Sequence, residues 1–267
     1  MSEAERALFL DTTAQFNRQS TRREVREEIE HLISSVPITG TSTYARLEFK
    51  RSYIQDLAYL HGKLRQLGSL RAVFGHLARL QPQQHRKLSR VLAHLDRFYQ
   101  DVPGGERETV DAILLCIEAN TLTALEWFDE SVDHVEDGTG CVRSKDAPRL
   151  VRGHLDVTVK SCRVADIRCR IHRFFEENRP AFERIAVEID MLSDADKTGE
   201  LRASREIIRR ALADSVMLCD DRVCRRVGDA LIGVDGKGFP SIASSNFHEF
   251  RVICEALGIV LKQLRPS

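Results

Sequence analysis

The sequence predicts an α/β fold, a parallel sheet flanked by helices, and three observations lead there. Short apolar runs stand near both ends of the chain, each followed at once by acidic or polar residues. An amphipathic helix follows the first run, and a long stretch of helical periodicity fills the middle. In an open parallel sheet, ligands collect outside the carboxyl ends of the strands. The residues directly after each apolar run are therefore the first candidates for a site.

The first run, Ala7-Leu8-Phe9-Leu10, reads as a strand that delivers Asp11, Thr12 and Thr13 at its tip. Ser20 as N-cap, Glu24 behind it, and Val25, Ile29, Leu32 and Ile33 at helical spacing make the next segment the crossover helix of a βαβ unit. Its arginines 22, 23 and 26 read as a solvated face. The apolar-leaning Val36-Pro37-Ile38-Thr39 reads as the second strand. Thr41, Ser42 or Thr43 then caps a helix that carries Glu48 in its first two turns, followed by Lys50 and Arg51, which either hold a phosphate or solubilise the helix.

From 52 to 217 the pattern is helical, with Leu57, Leu60, Leu64, Leu67, Leu70, Val73 and Phe74 keeping three-and-four spacing. Further helices are expected over 83–101, 105–135, 160–178, 180–191 and 199–217. Residues 133–140 and 144–148 are the most loop-like parts. Near the end, Gly228-Asp229-Ala230-Leu231-Ile232-Gly233 reads as a helix opening on an acid. Ser241-Ile242-Ala243 reads as a buried strand whose polar end carries Ser244, Ser245 and Asn246. A helix over 249–257 then stops at Gly258, and Ile259-Val260-Leu261 forms a last strand.

Composition narrows the classes. The 267 residues, 42% of them hydrophobic, suffice for a proper core. Forty basic and forty acidic residues cancel, which argues against attachment to nucleic acid by bulk charge and leaves room for a local basic patch. Seven cysteines without a secretory start suit buried free thiols in a reducing cytoplasm. No window approaches the length and apolarity of a membrane span. Cys162, Cys169 and His172, and the pair Cys219 and Cys224, lack the tight spacing of structural zinc sites. No phosphate-binding loop and no dinucleotide fingerprint occurs.

The residues that follow the runs resemble the acidic cluster of PIN-domain nucleases. That family carries an Asp at the end of the first strand, an acid on the helix after the second, an Asp opening a D-A-L-I-A helix, and a T-x-D/N-x-x-D/E-F segment after a late strand. Asp11, Glu48 and Asp229 match the first three, and Ser244, Asn246, Glu249 and Phe250 match the last. Ser244 stands where Thr is usual and Asn246 where Asp is common. The resemblance covers about 50 residues at the start and about 40 at the end. It implies a PIN-like α/β core from 1–51 and 218–267, with 52–217 as an all-helical insertion packed on the same domain.

What the resemblance implies for function is a metal-dependent nuclease, an endoribonuclease cutting single-stranded or loop RNA, with DNA as the second polymer. Asp11, Glu48 and Asp229 would be catalytic and, with Asn246, would ligate Mg²⁺ or Mn²⁺. Ser244, Glu249 and Asp221 would support them, Asp221 by way of a helix running on to Asp229. Thr12, Lys50 and Arg51 would touch substrate. Hard divalent cations favour oxygen donors, so carboxylates with an amide oxygen suit that chemistry. The rival expectation is a PIN-like scaffold without activity, binding a protein or a nucleic acid, with the helical segment as the surface for a partner or a second copy.

Overall fold

In a computed structural model, residues 6–19, 22–79, 90–96, 98, 106–157, 169–192 and 199–266 are described. The α/β class holds: strands β1 (Leu8–Leu10), β2 (Thr39–Ser42) and β3 (His134–Glu136) share a five-stranded sheet with β6 (Ser241–Ser244) and β7 (Val260–Gln263). Between them, β4 (Arg149–Val151) and β5 (His154–Asp156) pair as a separate antiparallel hairpin. All neighbours in the large sheet run parallel, in the order β3-β2-β1-β6-β7.

This order fixes where a ligand site belongs. From β1 the chain steps outward through β2 to β3, then returns to the other side of β1 and continues from β6 to β7. The two halves diverge between β1 and β6, and a crevice opens outside the carboxyl ends of strands at such a switch point.

The central strand is an uninterrupted apolar run, Leu8, Phe9 and Leu10, all with no exposed surface, as a parallel strand covered on both faces requires. Strand β2 is polar yet buried. Thr41 Oγ1 donates to the Leu10 carbonyl (2.8 Å), and a Cβ on Gly40 would stand 2.2 Å from the Phe239 ring, so the absence of a side chain there admits that ring. Phe239 in turn meets Phe9 with centroids 5.3 Å apart.

Around the sheet lie α1 (Thr12–Arg18), α2 (Arg23–Ser34), α3 (Thr43–Phe49), α4 (Gln55–Leu67), α5 (Leu70–Leu77), α6 (Glu106–Glu130), α7 (Ile171–Glu177), α8 (Arg179–Leu192) and α9 (Glu200–Ala213), followed by α10 (Asp221–Arg226), α11 (Gly228–Asp235) and α12 (Phe247–Leu257). Ser42 caps α3 by accepting from the Ala45 N–H. A single π turn, Lys50–Ile54, joins α3 to α4. Gly68 at φ 66° ends α4, and Gly258 at φ 70° ends α12, both in the left-handed region.

Two expectations need correction. The second strand lies at 39–42 and not at 36–39, because the ladder forms on the small buried Thr-Gly-Thr-Ser and not on the apolar residues before it. The segment 52–217 is not all helical: it contributes β3 to the main sheet, plus the β4–β5 hairpin. Strand β3 is only His-Val-Glu, half exposed at the sheet edge, so it shows no apolar run. It is anchored by Asp133, whose carboxylate accepts from the Thr39 N–H (2.7 Å) and hydroxyl (2.9 Å). The expected cap Ser20, Cys162, and much of the expected helices over 83–101 and 160–178 lie outside the described residues. No helix among the described residues is long and apolar enough to cross a membrane.

Candidate active site

Parallel pairing of β1 with β6 sets Leu10 against Ala243, so the next residue on each strand, Asp11 and Ser244, emerges at the switch point. Ser244 Oγ donates to Asp11 Oδ2 at 2.7 Å. Thr13 Oγ1 lies 2.9 Å from both Asp11 oxygens and accepts from the Ser245 N–H at 2.8 Å. The Ala14 N–H reaches Asp11 Oδ1 at 2.7 Å, which makes Asp11 the N-cap of α1. The residue is 1% exposed. Burial raises its pKa to about 6 against the opposing effect of these hydrogen bonds.

Glu48 comes from α3, which Ser42 launches from the end of β2. Thr12 Oγ1 donates to Glu48 Oε2 at 3.1 Å and fixes the side chain. Burial pushes Glu48 up to about 7, with the negative charges of Asp11 and Glu249 adding to the rise, while the Thr12 hydrogen bond and the Arg225 charge oppose it. The other oxygen rests on the start of α11, where a Cβ on Gly228 would stand 2.3 Å from Glu48 Oε1. Glycine at 228 thus makes room for the carboxylate.

Asp229 follows at once, in the first turn of α11, and Glu249 in the first turn of α12. Asn246 joins them, its Nδ2 donating to Asp229 Oδ2 (2.8 Å) and Glu249 Oε2 (2.9 Å). Asp229 binds its proton far more tightly than an ordinary carboxyl, first through burial, then through a hydrogen bond shared with Glu249 and the charges of Glu249, Glu48 and Asp11. Asp11, Glu48, Asp229 and Glu249 therefore form one electrostatic group, brought together from the end of β1, from α3 beyond β2, and from the starts of α11 and α12.

The remaining candidates are held by partners of their own. Asp221 is the hub of a cation knot: Arg51 and Arg143 (2.6 Å) bond its Oδ1, and Arg225 lies 3.2 Å from Oδ2. The helix expected to carry it toward Asp229 breaks at Val227, between α10 and α11. Lys50 is 1% exposed, its ammonium donating to the carbonyls of Arg143 and Asp146. Burial lowers its pKa. Lys50 and Arg51 are thus engaged within the fold, and the Thr12 hydroxyl is engaged with Glu48. Thr13, at the strand tip with Asp11, completes the setting of that acid, and two contributors carry no signal in the sequence: Gly228, which admits Glu48, and Arg225, whose charge reaches Glu48.

The donors present are all carboxylate, hydroxyl and amide groups, the chemistry that hard divalent cations favour. Among the described residues, no group of three or more His, Cys, Asp or Glu side chains stands arranged to hold a metal ion. As a metal ligand Asn246 would offer its amide oxygen; here its NH₂ is turned to two acids, which offsets the repulsion between them. Compared with family models, curated proteins and solved structures, the chain matches none.

Proposed function

We propose that this chain is a metal-dependent phosphodiester hydrolase of the PIN-domain-like kind, most plainly an endoribonuclease acting on single-stranded or loop RNA. The observation that carries the reading is the convergence of Asp11, Glu48, Asp229 and Glu249 at the switch point of a parallel sheet, close enough that the charges of their neighbours raise the proton affinity of Glu48 and Asp229. Like charges gathered at that cost are a recurrent mark of functional sites.

Asp11, Glu48 and Asp229 would hold Mg²⁺ or Mn²⁺, with Asn246 and Glu249 beside them. When bound, such an ion supplies Lewis-acid polarisation of the phosphoryl group and activation of a water. The protein's own part is orientation. Ser244, Thr13 and the α1 N-terminus fix Asp11, Thr12 fixes Glu48, and the Asn246 amide ties Asp229 to Glu249. No side chain serves as a covalent nucleophile in this scheme.

A second reading, a binding scaffold without activity, draws on Asn246, whose amide closes the cluster with no cation. One experiment separates the two. Fluorescent single-stranded RNA and DNA are incubated with parent and Asp11→Asn proteins in Mn²⁺ or EDTA. The hydrolase reading expects metal-dependent cleavage of RNA by the parent and a loss on the order of a hundredfold or more in the variant, the scale of removing one key electrostatic group. Equal cleavage by both would show that the acids are not the catalyst. No cleavage by either, and no thermal stabilisation by Mn²⁺, would leave the scaffold.

A further inference from the structure

The segment that carries Ser244, Asn246 and Glu249 runs against the usual pattern of apolar inside and polar outside. Those three turn to the acid cluster, and from 241 to 250 the one exposed residue is an aromatic, Phe247, at 41%. Single apolar residues at a surface are ordinary. This one, however, follows Asn246 directly, with about 3.8 Å between their Cα atoms, and so stands at the rim of the switch-point crevice. It is also held there. The Asn246 N–H donates to Ser244 Oγ at 2.9 Å, and Phe250 is fully buried, so the first turn of α12 is tied to the end of β6. Arg251, four residues on and thus on the same side of the helix, stands over the Phe247 ring at 5.9 Å from its centroid. Among the described residues, no carboxylate pairs with that guanidinium.

We propose that Phe247 is a stacking platform for one base of a single-stranded polynucleotide whose phosphodiester lies at the acid cluster. The inference rests on the hydrolase reading for where that strand runs. An exposed ring takes any base, because every base has a π face, and aromatic rings with arginines beside them are a recurrent way of holding single strands. Arg251 adds a cation for the negative backbone at a place where the chain as a whole, with forty basic and forty acidic residues, supplies no net attraction. The consequence is a choice of polymer form. Bases in a duplex are stacked on one another and are not offered to the ring, so Phe247 selects single-stranded or looped segments. Asn246 and Phe247 then divide the work of adjacent positions: the amide ties the acids, and the ring places the nucleotide beside them.

The test is fluorescence anisotropy of a labelled single-stranded RNA hexamer, and of the same hexamer made abasic, with the full chain in Ca²⁺, the strand's integrity being checked afterwards. The abasic strand keeps every phosphate and sugar. The parent should bind the strand with bases at least about fivefold more tightly than the abasic one, the low end of what stacking one base contributes. Phe247→Leu, which keeps an apolar side chain and removes the π face, should lose that preference while binding the abasic strand as the parent does. Phe247→Trp should keep it, and its emission should change with the strand that has bases and not with the abasic one; Trp127 is the chain's single tryptophan, so the parent supplies the blank. If the parent binds both strands alike, or neither, the platform is overturned without recourse to any variant. A folded Phe247→Leu that keeps the preference overturns it too. These measurements need no turnover. A base preference that depends on Phe247 in a protein that never cleaves RNA keeps the platform and ends the hydrolase reading, whereas cleavage without such a preference does the reverse.

Discussion

Ser244 donates to Asp11 at 2.7 Å because the two residues are the first beyond a shared ladder, one step past the Leu10–Ala243 pair. The hydrogen bond is thus a product of strand register. A one-residue slip of β6 would turn Ser244 away and bring Ser245 into its place. Asp11 is also the cap of α1, so one carboxylate is tied to the fold and, on our proposal, to the reaction.

Removing the hydroxyl should reveal that coupling. Ser244 lowers the Asp11 pKa, so Ser244→Ala should raise it above its present value of about 6. We expect the acidic limb of the pH–rate profile to move to higher pH, and stability at pH 8 to fall by about 1.5–3 kcal/mol, the usual scale for a hydrogen bond to a charged group. Ser244→Thr, which restores the hydroxyl, should return both. An unmoved profile in Ser244→Ala would mean that Asp11 does not limit the reaction.

Metal-free stability should depend on pH in an unusual direction. The folded pKa values of Asp11 (about 6) and Glu48 (about 7) lie above their ordinary 3.8 and 4.5, and Asp229 is raised as well. Between those limits the folded state binds more protons than the unfolded one. For Asp11 and Glu48 stability is therefore full below about pH 4 and is lost as pH rises to about 7, by on the order of 3 kcal/mol each before mutual coupling, and Asp229 contributes with the same sign. Asp235, pushed up to about 7 by burial and then by the charge of Glu136, acts in the same sense. Thermal melts in EDTA should show a higher Tm at pH 5 than at pH 8, and Mn²⁺ should restore stability at pH 8. A Tm that rises with pH across this window would contradict the cluster's electrostatics.

How much of this is legible in the sequence differs by residue. Asp11 can be read because the Leu-Phe-Leu run before it is a central strand, where burial on both faces demands apolar residues. Glu48, Asp229 and Asn246 can be placed only through the order of the motifs, since spacing along the chain does not say which strands are neighbours. The sheet order that makes β1 and β6 adjacent depends on packing between residues more than about 200 positions apart. Strand β3 is hidden because an exposed three-residue edge strand needs no hydrophobic signature. The partners of Asp221 cannot be read locally: its helix looks continuous with Asp229 until Val227 interrupts it, and burial of Arg51 and Arg143 around Asp221 is a tertiary event.

That burial sets the next expectation. Arg51 and Arg143 are 8% and 7% exposed at the side chain, and both depend on Asp221. Asp221→Ala leaves two largely buried cations without this carboxylate, a change that costs about 3–5 kcal/mol in comparable pairs. Denaturant unfolding should show that loss, while the rate per folded molecule stays within a few-fold of the parent. A variant that folds as stably as the parent yet loses activity would restore Asp221 to the site.

Gly228→Ala should do the opposite, sparing the fold and disabling the site. A Cβ at 228 would stand 2.3 Å from Glu48 Oε1 and 3.3 Å from the Tyr44 ring. The first contact is with the end of a side chain that can swing aside, so the backbone has no need to move. Residue 228 is the first of α11 and its φ is not positive. Alanine there is conformationally acceptable, and Gly→Ala generally stabilises a compatible site by about 0.4–1 kcal/mol. Displacing Glu48 also separates it from Asp229 and relieves like-charge repulsion. We therefore expect Gly228→Ala to melt at or slightly above the parent's temperature in EDTA, to gain less from added Mn²⁺, and to cleave RNA at least tenfold more slowly. A double variant, Gly228→Ala with Glu48→Gln, should be no slower than Glu48→Gln alone, because the glycine acts only by admitting that carboxylate. If Gly228→Ala is as active as the parent, Glu48 does not need its place on α11, and the four-acid grouping reduces to Asp11, Asp229 and Glu249.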